Sequence, residues 1–348
     1  MARLSDRIVG NPLNIPPNFN AIINGDFDIW QRGTSQTAAG YGSADRWTVG
    51  LVGSGITFNQ QTFTLGQTAV PDNPVYYSKA EVASNAGAGN YTSIEQRIEG
   101  VQTFAGTTAT LSFWAKTDTA KNMAVEFLQN FGTGGSPSTE VTGINVTTIA
   151  LTTAWTKYFF NVTVPSITGK TLGSGGNDYL GLTFWLDAGS TFNARTNSLG
   201  QQNGVFEISH VQLEAGEIAS PFEYRSVGQE LDLCQRYCYV IKNEQGSAST
   251  IAPSITTGLC YNTTLSYYVM SLPVTMRGIP SIVVSSSSHF QQIDTSVRNL
   301  TNVTLGNATL SVVSLNGTGS GMTAGRGALL RFSSIGGYDK YIHVNAEL

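Results

Sequence analysis

The chain has 348 residues, of which only 12% are charged, and its formal net charge at pH 7 is −4. Lysine and arginine residues are scattered singly, so no basic stripe follows nucleic-acid phosphates, and we expect no nucleic-acid partner. No apolar run approaches the roughly 20 residues that span a bilayer, so we expect no membrane insertion. The three cysteines, an odd number, argue against a disulfide framework and favour synthesis in a reducing cytoplasm.

Residues 1–20 contain three prolines among asparagines, as in "NPLNIPPN". Proline fixes φ and lacks the amide donor, which predicts an extended N-terminal arm in place of a packed element. Such an arm would attach the chain to a partner subunit. A frayed terminus is the alternative interpretation.

The stretch "NGDFDIWQRG", Asn24–Gly33, follows the arm. We interpret it as the first strand of a β-domain, with its aromatic residues buried. Asp26 and Asp28 are two positions apart, so on a strand they share a face, and calcium prefers several such oxygen ligands. We therefore expect no cofactor other than a structural calcium ion at this pair. The alternative is that both carboxylates face solvent and pair with Arg32 or Arg46.

Between residues 21 and 225, short segments alternate apolar and polar side chains, as in "ATLSFWAK" and "GLTFWLD". Clusters of Gly, Ser, Asn and Thr separate these segments, and such residues form turns. Many short strands joined by glycine-rich turns predict an antiparallel sandwich. We expect an all-β chain in which residues 21–225 form a jelly-roll sandwich.

The alternation stops in "SVGQELDLCQRYCYVIK", residues 226–242. Apolar residues recur there at helical spacing: Val227, Leu231, Cys234 and Cys238. Ser226 with Gln229 fits a capping box, so we predict a linking helix over residues 226–243. Strand patterning returns afterwards, as in "SIVVSSS" and "KYIHVNAEL", and residues 244–348 are predicted to form a second, smaller β-sandwich domain.

Two tryptophans occupy the polar side of predicted strands. Trp114 is flanked by Lys116, and Trp185 by Asp187, while the opposite side of each strand is apolar. Glu126 is placed similarly in "MAVEFLQNF". Sugars stack their C–H faces on aromatic rings and pair their hydroxyls with charged groups, so we predict that these five residues contact a glycan. A covering helix, loop or neighbouring subunit is the alternative, and a ring sealed inside its own subunit would leave only a mechanical role.

Motifs typical of catalysis are absent from the sequence. His210, His289 and His343 are widely separated and form no metal-binding pair, so we interpret each as structural. No serine stands in a nucleophile elbow. Paired carboxylates for glycoside cleavage meet only in the fold, which leaves a glycan-cleaving enzyme as an alternative. We expect the chain not to be an enzyme.

Four segments resemble parts of a domain common in bacteriophage tail-fibre and related virion proteins: "NGDFDIWQRG", "YGSADRW", "LSFWAKT" and "ISHVQLEAGEIASPFEYRSVGQELDLCQRY". The later "LPVTMRGIPSI" and "YIHVNAEL" are similar to the companion C-terminal β-domain of the same proteins. Similar sandwiches serve as carbohydrate-binding modules, which often carry a calcium-holding acidic pair where this chain has Ser209 and His210. The absence of those acids weighs against calcium at Asp26 and Asp28.

The resemblance implies a phage virion protein of the tail-fibre or receptor-binding type that adheres to a surface polysaccharide of the host. Its N-terminal arm would join other virion proteins, its copies would form a homotrimer, and it would be synthesised in the host bacterial cytoplasm. The alternative is a purely architectural virion protein, in head decoration or the tail, that joins neighbouring subunits. In that case Trp114 and Trp185 would be buried against another chain.

Overall fold

The computed structural model describes residues 19–243, 253–333 and 340–348. Nearly all of the predicted N-terminal arm, residues 1–18, lies outside the described residues. The chain divides into two compact units, Met1–Glu230 together with Leu348, and Leu231–Glu347. Both units are built from antiparallel sheets, which confirms the all-β fold class predicted from the sequence.

The strands of the first unit are, in chain order, β1 (Ser35–Gln36), β2 (Trp47–Val52), β3 (Gly55–Thr62), β4 (Tyr76–Ala83), β5 (Tyr91–Glu99), β6 (Thr108–Thr117), β7 (Lys121–Asn130), β8 (Val141–Leu151), β9 (Thr156–Thr163), β10 (Tyr179–Ala188) and β11 (Gly204–Ala215). One sheet has six strands in the order β1-β3-β4-β11-β6-β9. The other has five strands in the order β2-β5-β10-β7-β8.

The two sheets pack face to face around one hydrophobic core. Leu111 and Phe113 of β6 and Phe184 of β10 are fully buried, as the period-2 alternation predicts. The rings of Phe113 and Phe184 meet across the sandwich with centroids 5.1 Å apart. Aromatic contacts of this kind and the burial of apolar surface stabilise the sandwich.

The stretch Asn24–Gly33 differs from its prediction as a first strand. Asn24 and Phe27 have φ values of 58° and 57°, in the left-handed region that a strand does not use. The Asn24 side chain donates to the Ile29 carbonyl at 2.8 Å and accepts from the Ile29 amide at 2.9 Å, which closes a loop. The burial of the aromatic residues is confirmed, because Phe27 is fully buried and stacks on Trp47.

Two short helices are described, α1 (Asn193–Thr196) and α2 (Val227–Gln235), with single turns of 3-10 helix at Ser190–Phe192 and Ser287–His289. The capping box of α2 is confirmed, because Ser226 N donates to Gln229 Oε1 at 3.0 Å and Gln229 N to Ser226 Oγ at 3.4 Å. Within the described ranges, neither helix is long and apolar enough to cross a bilayer.

The helix predicted over residues 226–243 is therefore too long. Residues 238–242 form a strand instead, and Val227, placed on the apolar stripe of the predicted helix, is 53% exposed. The sequence "CYVIK" is rich in β-branched and aromatic residues, which favour a strand when a partner is available. That partner is the last strand of the chain, which lies far away in sequence.

The strands of the second unit are β12 (Cys238–Lys242), β13 (Ser254–Cys260), β14 (Leu265–Ser271), β15 (Ser281–Val284), β16 (Phe290–Ile293), β17 (Val297–Asn299), β18 (Asn302–Ala308), β19 (Val312–Thr318), β20 (Gly327–Phe332) and β21 (Tyr341–Asn345). They form a seven-stranded sheet in the order β17-β16-β20-β13-β14-β19-β18 and a three-stranded sheet in the order β12-β21-β15. One core joins the two sheets, with Tyr268 and Phe332 from the first and Val344 from the second.

Candidate functional site

The two tryptophans predicted to bind sugar lie in different sheets. Trp114 is on β6 of the six-stranded sheet, and Trp185 is on β10 of the five-stranded sheet. Each indole points away from the core, because its neighbours Phe113 and Phe184 point into it, so the two rings lie on opposite sides of the sandwich. The five residues predicted to contact a glycan therefore do not share one surface. Alternation identifies the apolar side of a strand, but not the sheet that the strand joins.

Trp185 is sealed inside its own unit. Its exposed fraction is 2%, and the segment that follows β10 covers the ring. Phe192 and Tyr91 contact the indole with centroid distances of 5.1 and 5.3 Å, and the Arg195 guanidinium lies 5.1 Å from the ring centroid. The indole Nε1 donates to Glu126 Oε2 at 2.9 Å. Trp185 therefore packs as a small second core and is inaccessible to a ligand.

Glu126 and Asp187 are also fully buried, which corrects their prediction as glycan contacts. Glu126 Oε1 accepts from Arg195 Nε at 2.8 Å and from the Gly143 amide at 2.6 Å. Asp187 accepts from the hydroxyls of Ser54 and Ser84 at 2.7 and 2.8 Å. Both carboxylates hold covering loops on the sheet, because a buried charge is tolerated only when donors surround it.

Trp114 and Lys116 lie on the outer side of the six-stranded sheet and are half-buried. Trp114 is the register partner of Ser209 on β11 and of Lys157 on β9. Lys116 Nζ forms an ion pair with Glu207 Oε2 at 2.6 Å. Two of the five predicted glycan contacts are thus placed together on a surface that solvent reaches.

Three aromatic rings that the sequence analysis did not single out gather beside this ion pair. Phe63 lies 4.6 Å from Tyr77 and 5.2 Å from Trp155, and Tyr77 lies 5.3 Å from Trp155, as centroid distances. Lys116 Nζ lies 5.4 Å from the Trp155 ring centroid, a cation–π distance. All three rings are partly exposed. We call Phe63, Tyr77, Trp114, Lys116, Trp155 and Glu207 the six-stranded face.

The position of these rings explains why sequence patterns missed them. Phe63 comes directly after β3 and Trp155 directly before β9, so neither belongs to an alternating segment. Tyr77 lies on β4, in a segment that carries no motif. One residue of the sequence does indicate an aromatic surface on this side of the sheet. Phe159 alternates with core residues of β9, so it lies on the same side of the sheet as Ser112 and Trp114, and it is 63% exposed.

The electrostatics of the six-stranded face keep the Tyr77 hydroxyl protonated. Burial, followed by the charge of Glu207 and a hydrogen bond to it, raises the pKa of Tyr77 to about 12. Tyr77 therefore remains a neutral phenol at physiological pH. The face presents ring surfaces together with an ammonium, a carboxylate and a phenol, which suits a ligand with C–H faces and hydroxyls.

Asp26 and Asp28, the predicted calcium pair, lie in a loop beside β11. Asp26 Oδ1 is 3.2 Å from His210 Nε2 and accepts from Ser209 Oγ at 3.3 Å. Burial, and then the charge of Asp28, raises the pKa of Asp26 well above its usual range. Burial, and then the charge of Glu230, raises the pKa of Asp28 to about 6. Among residues 19–243, 253–333 and 340–348, no group of three or more His, Cys, Asp or Glu side chains is placed to hold a metal ion.

Replacing Asp28 with asparagine is expected to stabilise the first unit at pH 7. The folded carboxyl has the higher pKa, so the folded state binds more protons between about pH 4 and 6, and the free energy of unfolding falls as pH rises through that window. With a discount for partial exposure, the gain is roughly 1–2 kcal/mol at pH 7 and vanishes near pH 4. Thermal unfolding at both pH values measures it.

Thermal unfolding with added calcium tests whether Asp26 and Asp28 form a metal site. We expect millimolar calcium to leave the melting temperature of the wild type unchanged. A rise with calcium in the wild type that Asp28→Asn abolishes would establish a cation site at this pair instead.

No family model matches the chain, and no curated protein sequence matches it. Solved structures do, at low similarity. A structure described as "CBM4 structure and function" is 17% identical over 56% of this chain and 98% of that one, with a TM-score of 0.31. The family 11 carbohydrate-binding module from Clostridium thermocellum, in complex with a mixed-linked tetrasaccharide, is 10% identical over 54% of this chain and 98% of that one, with a TM-score of 0.31.

The enzymatically active domain of tailspike protein 4 from bacteriophage CBA120 is 14% identical over 57% of this chain, with a TM-score of 0.34. The match spans only 21% of that tailspike chain. Similarities this distant assign neither a ligand nor an activity to the present chain, and its candidate site rests on its own residues.

Proposed function

We propose that this chain is a non-enzymatic phage virion protein that adheres to a bacterial surface glycan through the six-stranded face. The observation that carries the proposal is the cluster of Phe63, Tyr77 and Trp155, three partly exposed rings beside the Lys116–Glu207 ion pair. The resemblance of "QLEAGEIASPFEYR" and the segments around it to tail-fibre proteins supports the virion setting.

The physical basis is the match between this surface and a sugar. Partly exposed rings can stack on the C–H side of a pyranose, and Lys116 and Glu207 offer a donor and an acceptor within the same patch. A shallow surface of this kind binds one sugar chain weakly. Several copies on one particle would raise the overall avidity by orders of magnitude without any new contact.

The burial of Trp185 inside its own subunit meets the condition under which the sequence leaves only a mechanical role, so the predicted site on Trp114 and Trp185 is abandoned. Glycan binding is proposed here on different rings, those of Phe63, Tyr77 and Trp155. The architectural alternative requires Trp114 and Trp185 to be buried against another chain. The segment after β10 buries Trp185 instead, so the burial of Trp185 does not point to a neighbouring subunit. The arm at residues 1–20 is proposed to join other virion proteins, with the chain synthesised in the host cytoplasm and placed in the virion as a homotrimer.

Binding to an array of bacterial surface polysaccharides tests the proposal. We expect the wild type to bind at least one of them and Trp155→Ala to bind it about tenfold or more weakly, which corresponds to about 1.4 kcal/mol. Trp114→Ala should weaken binding less, because its ring is not part of the aromatic cluster. Val52→Ala, which truncates a half-exposed residue on the five-stranded sheet, is the matched control and should bind as the wild type does.

Unchanged binding by a Trp155→Ala/Tyr77→Ala double variant would overturn the location of the site. An array on which the wild type binds nothing would overturn glycan adhesion itself. Release of reducing sugar from a bound polysaccharide over a long incubation would show that the chain is an enzyme.

A further inference from the structure

The second unit carries an exposed apolar patch in the middle of a sheet. On the outer side of β13 and β14 lie Leu259, Tyr261, Tyr267 and Val269, with exposed fractions of 46%, 62%, 38% and 60%. Leu259 and Tyr267 are register partners, and the rings of Tyr261 and Tyr267 are 5.2 Å apart. Ser314 and Asn316 of β19 lie beside them, as the register partners of Val269 and Tyr267. We call these six residues the seven-stranded face.

The strands that carry this face contain no charged residue. Residues 253–276 and 299–325, which include all of β13, β14, β18 and β19, lack Asp, Glu, Lys and Arg. These four strands are consecutive in the sheet, and β18 is its edge. Solvent-facing sheets and their edges normally carry charges that prevent pairing with other chains. A neutral face that also exposes apolar side chains is typical of a covered surface.

We propose that a second copy of this chain covers the seven-stranded face. Two identical neutral faces meet without like-charge repulsion, whereas a charged partner would find no group of opposite sign on these strands. The hydroxyl of Ser314 and the amide of Asn316 both donate and accept, so they can pair with copies of themselves. Enrichment in tyrosine and depletion of Lys, Glu and Asp are the composition of interface cores.

The size of the face sets the strength of the association. Each of the four strands has seven residues. With strands about 4.8 Å apart and about 3.3 Å per residue, the face measures about 19 by 23 Å, or about 440 Å² per copy. A standard interface buries about 800 Å² per partner. Self-association through this face alone is therefore reversible and depends on concentration.

Self-association would also place several glycan-binding faces on one assembly, which raises avidity. Because all of the residues involved belong to the second unit, self-association does not depend on glycan binding by the first. Failure of self-association would leave glycan binding by the first unit standing but not the homotrimer, and failure of glycan binding would leave self-association standing.

Sedimentation of the full chain over concentrations from about 1 µM to about 1 mM tests the inference. The mass of the wild type should rise from the monomer value of 37.1 kDa towards twice that value, because two identical faces that cover each other leave none free for a third copy. Val269→Lys buries a charge in the proposed interface and should weaken association tenfold or more. Val283→Lys changes a valine that is 48% exposed on β15, in the other sheet, and should associate like the wild type.

Circular dichroism of both variants confirms that each still folds. A wild type that stays at the monomer mass throughout the range would overturn the inference, and so would an equal loss of association in both lysine variants. A monomeric wild type that binds a polysaccharide through Val269 would assign the face to sugar instead.

Discussion

Replacing Trp185 with alanine is expected to destabilise the first unit by about 3–5 kcal/mol, the range for deleting a buried aromatic side chain. The indole is 2% exposed and packs against Tyr91 and Phe192. Its removal leaves a cavity and also leaves Glu126 Oε2, a fully buried carboxylate oxygen, without the Nε1 donor at 2.9 Å. An unsatisfied buried acceptor adds its own desolvation cost to that of the cavity.

Tryptophan fluorescence during urea unfolding measures this effect in the first unit alone. The sequence has five tryptophans, at positions 30, 47, 114, 155 and 185, and all belong to the first unit. Trp114→Ala is the matched control, because the same truncation at a half-buried position should cost far less. Equal losses of unfolding free energy in Trp185→Ala and Trp114→Ala would contradict the difference in burial between the two indoles.

A comparison of Trp185→Ala with Trp155→Ala separates folding from binding. Trp185→Ala protein that remains folded in the cold should still bind glycan, because Trp185 does not reach the six-stranded face. Trp155→Ala protein should unfold at nearly the wild-type urea concentration and yet bind poorly. If folded Trp185→Ala protein failed to bind glycan while Trp155→Ala protein bound it normally, the site would lie on the five-stranded sheet.

The strands were predictable because the alternation of apolar and polar side chains can be seen within each short segment of sequence. In β6 and β10 the side-chain alternation specifies which residues point into the core between the two sheets, and Leu111, Phe113 and Phe184 lie where the pattern predicts. The start of α2 was predictable for the same reason, since Ser226 and Gln229 cap each other within one turn. Its end was not, because β12 is a strand only through its pairing with β21.

The site was predictable only in part because it depends on non-local pairing. Trp114 and Trp185 have the same local pattern, yet one strand pairs with β9 and β11 and the other with β5 and β7. The segment that covers Trp185 has no periodic pattern from which its position could be predicted. Its contacts with Trp185 through Phe192 and Arg195 form only when the chain is folded. Trp155 was not predictable as a site residue because it stands at a strand end and meets Tyr77 only across the sheet.

Replacing Gly25 with alanine is expected to destabilise the first unit by about 3 kcal/mol, the upper part of the range for overpacked sites. A Cβ atom at this position would lie 2.1 Å from the carbonyl oxygen of Val211. That oxygen is backbone of β11, a central strand, so it cannot move aside as a flexible side chain would. The Val211 amide also donates to the Gly25 carbonyl at 2.9 Å, and the two chains cannot separate without losing this bond.

Gly89→Ala is the matched control, because nothing lies within 4 Å of its added Cβ and its φ is not in the left-handed region. Its free energy of unfolding should be within about 0.5 kcal/mol of the wild-type value, or slightly above it, because alanine restricts the unfolded chain. Tryptophan fluorescence reports on both variants, as both glycines lie in the first unit. Equal unfolding midpoints for Gly25→Ala and Gly89→Ala would show that the opening loop is not pinned to β11. The close approach to Val211 would then not be what fixes Asp26 and Asp28 beside that strand.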